Sequence, residues 1–367
     1  KPPMPEHLSY LTSTTIEAAR AVDILPDGHR SKGVHGHSFG VRLRTQLPDN
    51  CAAYSGGEVQ VLEQALAQAV APLDYSFLND QITVPTDENV GRWVRQQSPL
   101  FAAAVVGIQS TANEGVDLDT DGIAHVWRRY RFEAAHRLPN VPPGHQCGRM
   151  HGHGFDVILH ASQNIDDGDM GTDYDALDQH WAAIAPQLHM ACLNDVPGLE
   201  NPTSEMISAW IWSKLKPGLP ELSWVTVFET VTAGCHFDGT HFRIWKEQRF
   251  EAAVALSNAP TDSPQAQLHG HSYLIRLHLT ADLDETLGWT VDYGDVKELF
   301  KPTYKQLDHH RLDAVEGIDH GDCASIARWI KGRVSHVLPA LDRIDLYETP
   351  GNGVSLAWGP LGPALPI

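Results

Sequence analysis

One tripeptide recurs along this chain at a near-constant interval, and that interval constrains the fold more than any other feature. His-Gly-His stands at 35–37, 151–153 and 269–271. Glu-Ala-Ala keeps step at 17–19, 133–135 and 251–253, and Leu-Asn-Asp at 78–80 and 193–195. Pro85-Thr86 matches Pro202-Thr203, and Trp93, Trp210 and Trp329 each fall in an apolar helical stretch. Self-similarity with a period of about 117 residues means three copies of one unit. The spacing divides the chain into copies at 6–120, 124–240 and 241–358.

Each copy reads as strand, strand, helix, helix, strand, strand. In copy two, Glu133-Ala-Ala lies on an extended segment that leads through the Val141-Pro-Pro-Gly144 loop. The next strand alternates, with His151, His153, Phe155, Val157 and Leu159 on one face. A helix fits Tyr174–Leu188. A second begins near Thr203, whose hydroxyl suits an N-cap, and carries Ile207, Trp210, Ile211 and Leu215 at helical spacing. Strand-like runs at Trp224–Thr230 and Thr240–Trp245 close the copy, the latter leading into the next copy's first strand. The fold class is therefore α+β, each copy an antiparallel four-stranded sheet with two helices on one face. Such a sheet has two bare edges, which proteins cover or close. Three copies joined edge to edge would close a twelve-stranded pseudo-trimeric barrel with the helices outside.

Composition narrows the setting. A formal charge of −19 disfavours nucleic acid and anionic membrane as partners. No apolar run approaches a membrane span, and the start Lys1-Pro-Pro-Met-Pro-Glu shows no secretory signal. The five cysteines form no C-x-x-C pair, which favours a reducing, cytoplasmic setting.

The chemistry-bearing residues are divided unequally among the copies. Two histidines at i and i+2 on a strand point the same way, although such a pair alone is more readily a surface or packing feature. Copy two adds His136 on the preceding strand, so His136, His151 and His153 can form a three-imidazole site with an open fourth position, as catalytic zinc requires. One complete ligand set predicts one zinc per chain. Cys147 lies in the loop before His151, and a thiol beside a dication can be held as thiolate and act as a base. The position of His136 is Arg20 in copy one and Val254 in copy three; that of Cys147 is Ser31 and Gln265. Copy three instead carries Asp308-His309, where the carboxylate can orient the imidazole for proton transfer, or where the two form only a helix-end charge pair. Glu229 and Glu348 end equivalent strands, and either can accept paired hydrogen bonds from an aminopyrimidinone edge or stand as an exposed edge glutamate.

Taken together, Phe132-Glu-Ala-Ala-His136, Gly144-His-Gln-Cys147-Gly-Arg-Met-His151-Gly-His153, Leu193–Glu205 and Glu229-Thr-Val-Thr-Ala-Gly-Cys235 resemble the 6-pyruvoyltetrahydropterin synthase / 6-carboxytetrahydropterin synthase family. The Cys-x3-His spacing resembles the bacterial 6-carboxy branch, which feeds deazapurine (queuosine) synthesis. The resemblance implies three tandem tunnelling-fold (T-fold) repeats, and a homodimer by stacking of two pseudo-trimers. It implies 7,8-dihydroneopterin triphosphate as the small-molecule substrate and 6-carboxy-5,6,7,8-tetrahydropterin as product. Alternatives are 6-pyruvoyltetrahydropterin synthase activity or a non-catalytic pterin- or metal-binding protein. By motif position, His136, His151 and His153 hold zinc, Cys147 is the base, Asp308 and His309 are the relay, and Glu229 or Glu348 anchors the pterin. Arg149, Arg137 and His145 are candidates for the triphosphate.

Overall fold

The computed structural model describes residues 5–162 and 169–359. The first four residues and the Pro/Gly-rich tail beyond Gly359 lie outside the described residues.

Long antiparallel strand pairs dominate the chain. The first series of elements is β1 (His7–Arg20), β2 (His35–Thr45), α1 (Glu58–Val70), β3 (Ser76–Phe77), α2 (Asp87–Gln96), β4 (Val105–Thr111) and β5 (Glu114–Leu118). The second is β6 (Ala124–His136), β7 (His151–Ser162), α3 (Tyr174–Leu188), β8 (Ala191–Cys192), α4 (Ser204–Leu215), β9 (Leu222–Thr230) and β10 (Ala233–Phe237). The third is β11 (Phe242–Val254), β12 (His269–Thr280), α5 (Tyr293–Leu307), α6 (Cys323–Val334), β13 (Leu341–Thr349) and β14 (Asn352–Ala357). The strands hydrogen-bond in one series, and β14 returns to pair with β1. Apart from the two-residue strands β3 and β8, this is the closed twelve-stranded antiparallel barrel that the repeat implies.

Two compact units contain these elements. The first comprises residues 1–122, 247–277 and 297–367, the second 123–246 and 278–296. In the second unit, β6 pairs with β7, β7 with β9, and β9 with β10. The side chains of Phe155, Val157 and Leu159 are fully buried, as their alternation requires. Ile207, Trp210, Ile211 and Leu215 bury the apolar stripe of α4 against β9 and β10.

The closing strands differ from the sequence expectation. The run after Thr240 does lead into the third copy's first strand, β11, but it is not a closing strand of copy two. The strand that pairs with β9 is Ala233–Phe237, which carries little alternation for a sequence pattern to detect. A bulge at Ala233/Gly234 also disturbs it. Gly234 is required there, because a Cβ would lie 2.4 Å from the Val227 carbonyl oxygen.

Each series also contains a left-handed residue just after its first helix: Tyr75, Met190 and His309, with φ of 51°, 59° and 57°. Their N–H groups donate to the carbonyls of Glu17, Glu133 and Glu251. The strain therefore belongs to the fold and recurs whatever side chain stands there.

Thr203 caps α4 as the sequence suggests, accepting from Met206 N at 3.1 Å. Its hydroxyl also donates to the Gly288 carbonyl. Thr203→Ala is expected to cost about 1–2 kcal/mol, read as a lowered urea midpoint with an unchanged slope.

Candidate active site

The register of β6 and β7 sets His136 opposite His151, and Ala134 opposite His153. All three histidines therefore reach one side of the sheet. Their ligand atoms lie within 4.8 Å of one another, and His136 Nε2 is 3.1 Å from His151 Nε2. His136 donates its Nδ1–H to the Pro202 carbonyl at 2.8 Å, and His151 donates its own to the Arg149 carbonyl at 2.8 Å. Those bonds fix the tautomer and turn the Nε2 lone pairs inward. Burial holds His136 and His153 below the usual histidine range, which keeps them neutral. His153 Nε2 is buried, makes no hydrogen bond among the described residues, and lies 3.6 Å from Glu229 Oε1. Converging imidazoles with a buried, unbonded nitrogen are a donor set that suits a cation.

Copy one provides a contrast within the same chain. There the Arg20 guanidinium takes the position of His136, with Nε 3.4 Å from His35 Nε2 and Nη2 3.4 Å from His37 Nε2. Its Nη1 pairs with buried Asp87 at 2.6 Å. Burial and the neighbouring Arg20 push His37 down to about 4. A built-in cation occupies the place a metal would take. In copy three, buried Val254 stands at that position and the His269 and His271 rings lie edge to face at 5.0 Å.

Cys147 sits in a short turn, Gln146–Gly148, capped by His145 Nδ1, which accepts from Cys147 N at 3.2 Å. Burial pushes its thiol up, and the carboxylates of Glu229 and Asp292 add to the effect. The protein alone thus favours the protonated thiol, and a dication on the histidines would oppose that.

Glu229, at the end of β9, accepts from Ser204 Oγ at 2.9 Å, and Ser204 Oγ is 3.1 Å from the Tyr293 hydroxyl. Glu205, in the first turn of α4, is pushed up to about 7 by burial and accepts from Thr290 N and Oγ1 at 2.8 and 3.1 Å. Glu348 is raised by burial and accepts from the Cys323 thiol at 3.5 Å.

Asp308 and His309 lie in the first unit. Asp308 Oδ1 accepts from Glu251 N at 3.0 Å, and His309 Nδ1 donates to Asp308 Oδ2 at 2.9 Å. Asp74 holds Glu17 N in the same way, and His189 Nδ1 holds Glu133 N. Capping this backbone N–H is therefore common to all copies, and orienting an imidazole is what copy three adds. Arg137 and Arg149 are exposed, whereas His145 is engaged with Asp292 at 2.9 Å.

Residues 284–293, after β12, complete the site in a way the sequence reading did not foresee. Asn140 and Asn201 donate to the carbonyls of Thr286 and Leu287, both at 2.7 Å. Asp292, Tyr293 and Trp289 are thereby brought to the Cys147 side. The signal available was the Asp-Tyr pair repeated at 173–174 and 292–293.

A family model described as 6-pyruvoyl tetrahydropterin synthase matches residues 125–240 and 243–357. The chain belongs to that family, and it is an enzyme of the family's lyase type. It is 37% identical over 119 residues to a 6-carboxy-5,6,7,8-tetrahydropterin synthase from Synechocystis sp., covering 30% of this chain and 91% of that protein. It is 30% identical over 119 residues to a dihydroneopterin monophosphate aldolase from Pyrococcus furiosus, covering 32% of this chain and 97% of that protein. Among solved structures, 6-pyruvoyl tetrahydropterin synthase from Caenorhabditis elegans aligns at 21% identity and a TM-score of 0.29, covering 32% of this chain and 95% of that one.

Arg20 and Asp87 are both nearly inaccessible, with side-chain exposures of 7% and 2%. Arg20→Met leaves a buried carboxylate without its cation. Thermal and urea unfolding should show a loss of about 3–5 kcal/mol.

Proposed function

We propose that the chain is a zinc-dependent synthase that converts 7,8-dihydroneopterin triphosphate to 6-carboxy-5,6,7,8-tetrahydropterin, in a route to deazapurines such as queuosine. The observation that carries this reading is the inward convergence of three imidazoles at His136, His151 and His153, in one unit with Cys147 and Glu229. His136, His151 and His153 would hold one zinc, which supplies Lewis-acid polarisation of substrate oxygens when bound. Cys147 takes up and returns the carbon-bound proton of the side chain. Glu229 accepts from the aminopyrimidinone edge of the pterin, with Glu348 the alternative anchor. His309, oriented through Nδ1 by Asp308, leaves Nε2 available as the second proton carrier.

Of the copies at 6–120, 124–240 and 241–358, the second carries the ligand set and the thiol, and the third carries the Asp-His pair. Five free cysteines are in keeping with a cytoplasmic setting. Among the described residues no helix is long and apolar enough to cross a membrane.

The test is turnover of 7,8-dihydroneopterin triphosphate with product analysis by mass spectrometry. Cys147→Ala and His309→Ala should each lower kcat by about 10²-fold or more. Full activity in either variant removes that residue from the mechanism. A 6-pyruvoyl product, or a simple aldol cleavage product, would move the chain to a different reaction on the same scaffold.

Two chains stacking as a homodimer is the partner reading. Val34, Met150 and Leu268 each precede a paired-histidine strand, and all three are exposed apolar side chains. Sedimentation should give a dimer for the native chain and a monomer for the variant with lysine at all three positions. A native monomer refutes the stacking.

A further inference from the structure

We propose that Asp292 and His145 form a positioning pair that fixes the Cys147 thiol for reaction, so that the segment after β12 is a working part of copy two's site. This rests on reading Cys147 as the reacting thiol.

The geometry fixes the protonation of the imidazole. His145 Nδ1 accepts from Cys147 N at 3.2 Å, so it carries the lone pair. The proton of the neutral ring is then on Nε2, which donates to Asp292 Oδ2 at 2.9 Å. Cys147 is held from its other side as well, because its carbonyl accepts from Leu138 N at 2.8 Å. With both backbone groups bonded, the thiol is placed by a single side-chain rotation.

Asp292 is itself held on both oxygens. Its Oδ1 accepts from Gly294 N at 2.6 Å, at the start of α5. Asp173 does the equivalent for α3, accepting from Ala176 N at 2.7 Å. Starting a helix needs one carboxylate oxygen, and the second oxygen of Asp292 is directed to His145. The backbone leading into it is tied down by Asn201 at Leu287, Thr203 at Gly288 and Glu205 at Thr290. The Trp289 ring lies beside His145, with centroids 5.9 Å apart.

Copy three shows that the turn does not need this pair in order to fold. In copy three the turn Pro264–Ala266 forms behind Ser263 with no side-chain cap. In copy one His29 caps Ser31 at 3.1 Å, where no thiol stands. A carboxylate that holds an imidazole in one tautomer works as the third member of a nucleophile–histidine–acid set does, by orientation rather than by proton transfer. An asparagine at 292 could instead donate to Nε2, which would move the ring proton to Nδ1 and break the bond to Cys147 N.

The experiment compares Asp292→Asn, Asp292→Glu and His145→Ala with the native metal-loaded chain. With the pterin triphosphate, Asp292→Asn should lower kcat roughly 10- to 100-fold with KM changed by less than about 3-fold, a displacement-sized effect. Asp292→Glu should recover most of that loss, at unchanged metal content. Unchanged kcat, or a rise in KM alone, overturns the proposal. Alkylation of Cys147 by iodoacetamide, read by peptide mass spectrometry against Cys192 in the same chain, needs no substrate. A roughly 5-fold or larger selective change at Cys147 in Asp292→Asn and His145→Ala supports the positioning pair, and equal rates overturn it. If the native chain leaves the pterin triphosphate untouched, the proposed function fails, and the alkylation result still decides the positioning.

Discussion

The pairing of β6 with β7 is the constraint on which the site depends. Because side chains alternate along a strand, a slip of one residue would send His151 and His153 to the opposite face from His136. The register is held by the buried Phe132–Phe155 stack, whose ring centroids are 4.9 Å apart, and by a ladder running from His125 to His136. The same ladder exists between β1 and β2, where Arg20 faces His35. The fold therefore delivers three side chains to one point in each case, and residue identity decides what that point does. In copy two it is a cluster of three imidazoles. In copy one a guanidinium bonded to Asp87 supplies the positive charge permanently.

That division explains how one chain can keep a fold three times and its chemistry unevenly. Backbone requirements recur in every copy: the left-handed residue after the first helix, and a side chain capping the N–H of Glu17, Glu133 or Glu251. Asp308 meets that requirement and orients His309 as well. A residue that serves the fold in one copy is thus available for chemistry in another, by a change at its neighbour.

The repeat, the helix Tyr174–Leu188, the Thr203 cap and the three-histidine cluster were legible in the sequence, because each rests on local spacing or on strand alternation. Strand β10 was not legible, since Ala-Gly-Cys-His-Phe has no clear alternation and its glycine answers to a close approach by Val227 and Trp245. The contribution of Asp292, Trp289 and Tyr293 was hidden for a different reason. Their partners, His145 and Ser204, lie far back in the sequence, and only the folded chain brings them together.

The central claim is that one copy holds a metal and the other two do not. Crystals of the native chain, measured above and below the zinc absorption edge, test it most directly. The account predicts one anomalous peak per chain, among the Nε2 atoms of His136, His151 and His153. A peak between His35 and His37 or beside His269 and His271, or none at His136, would contradict it.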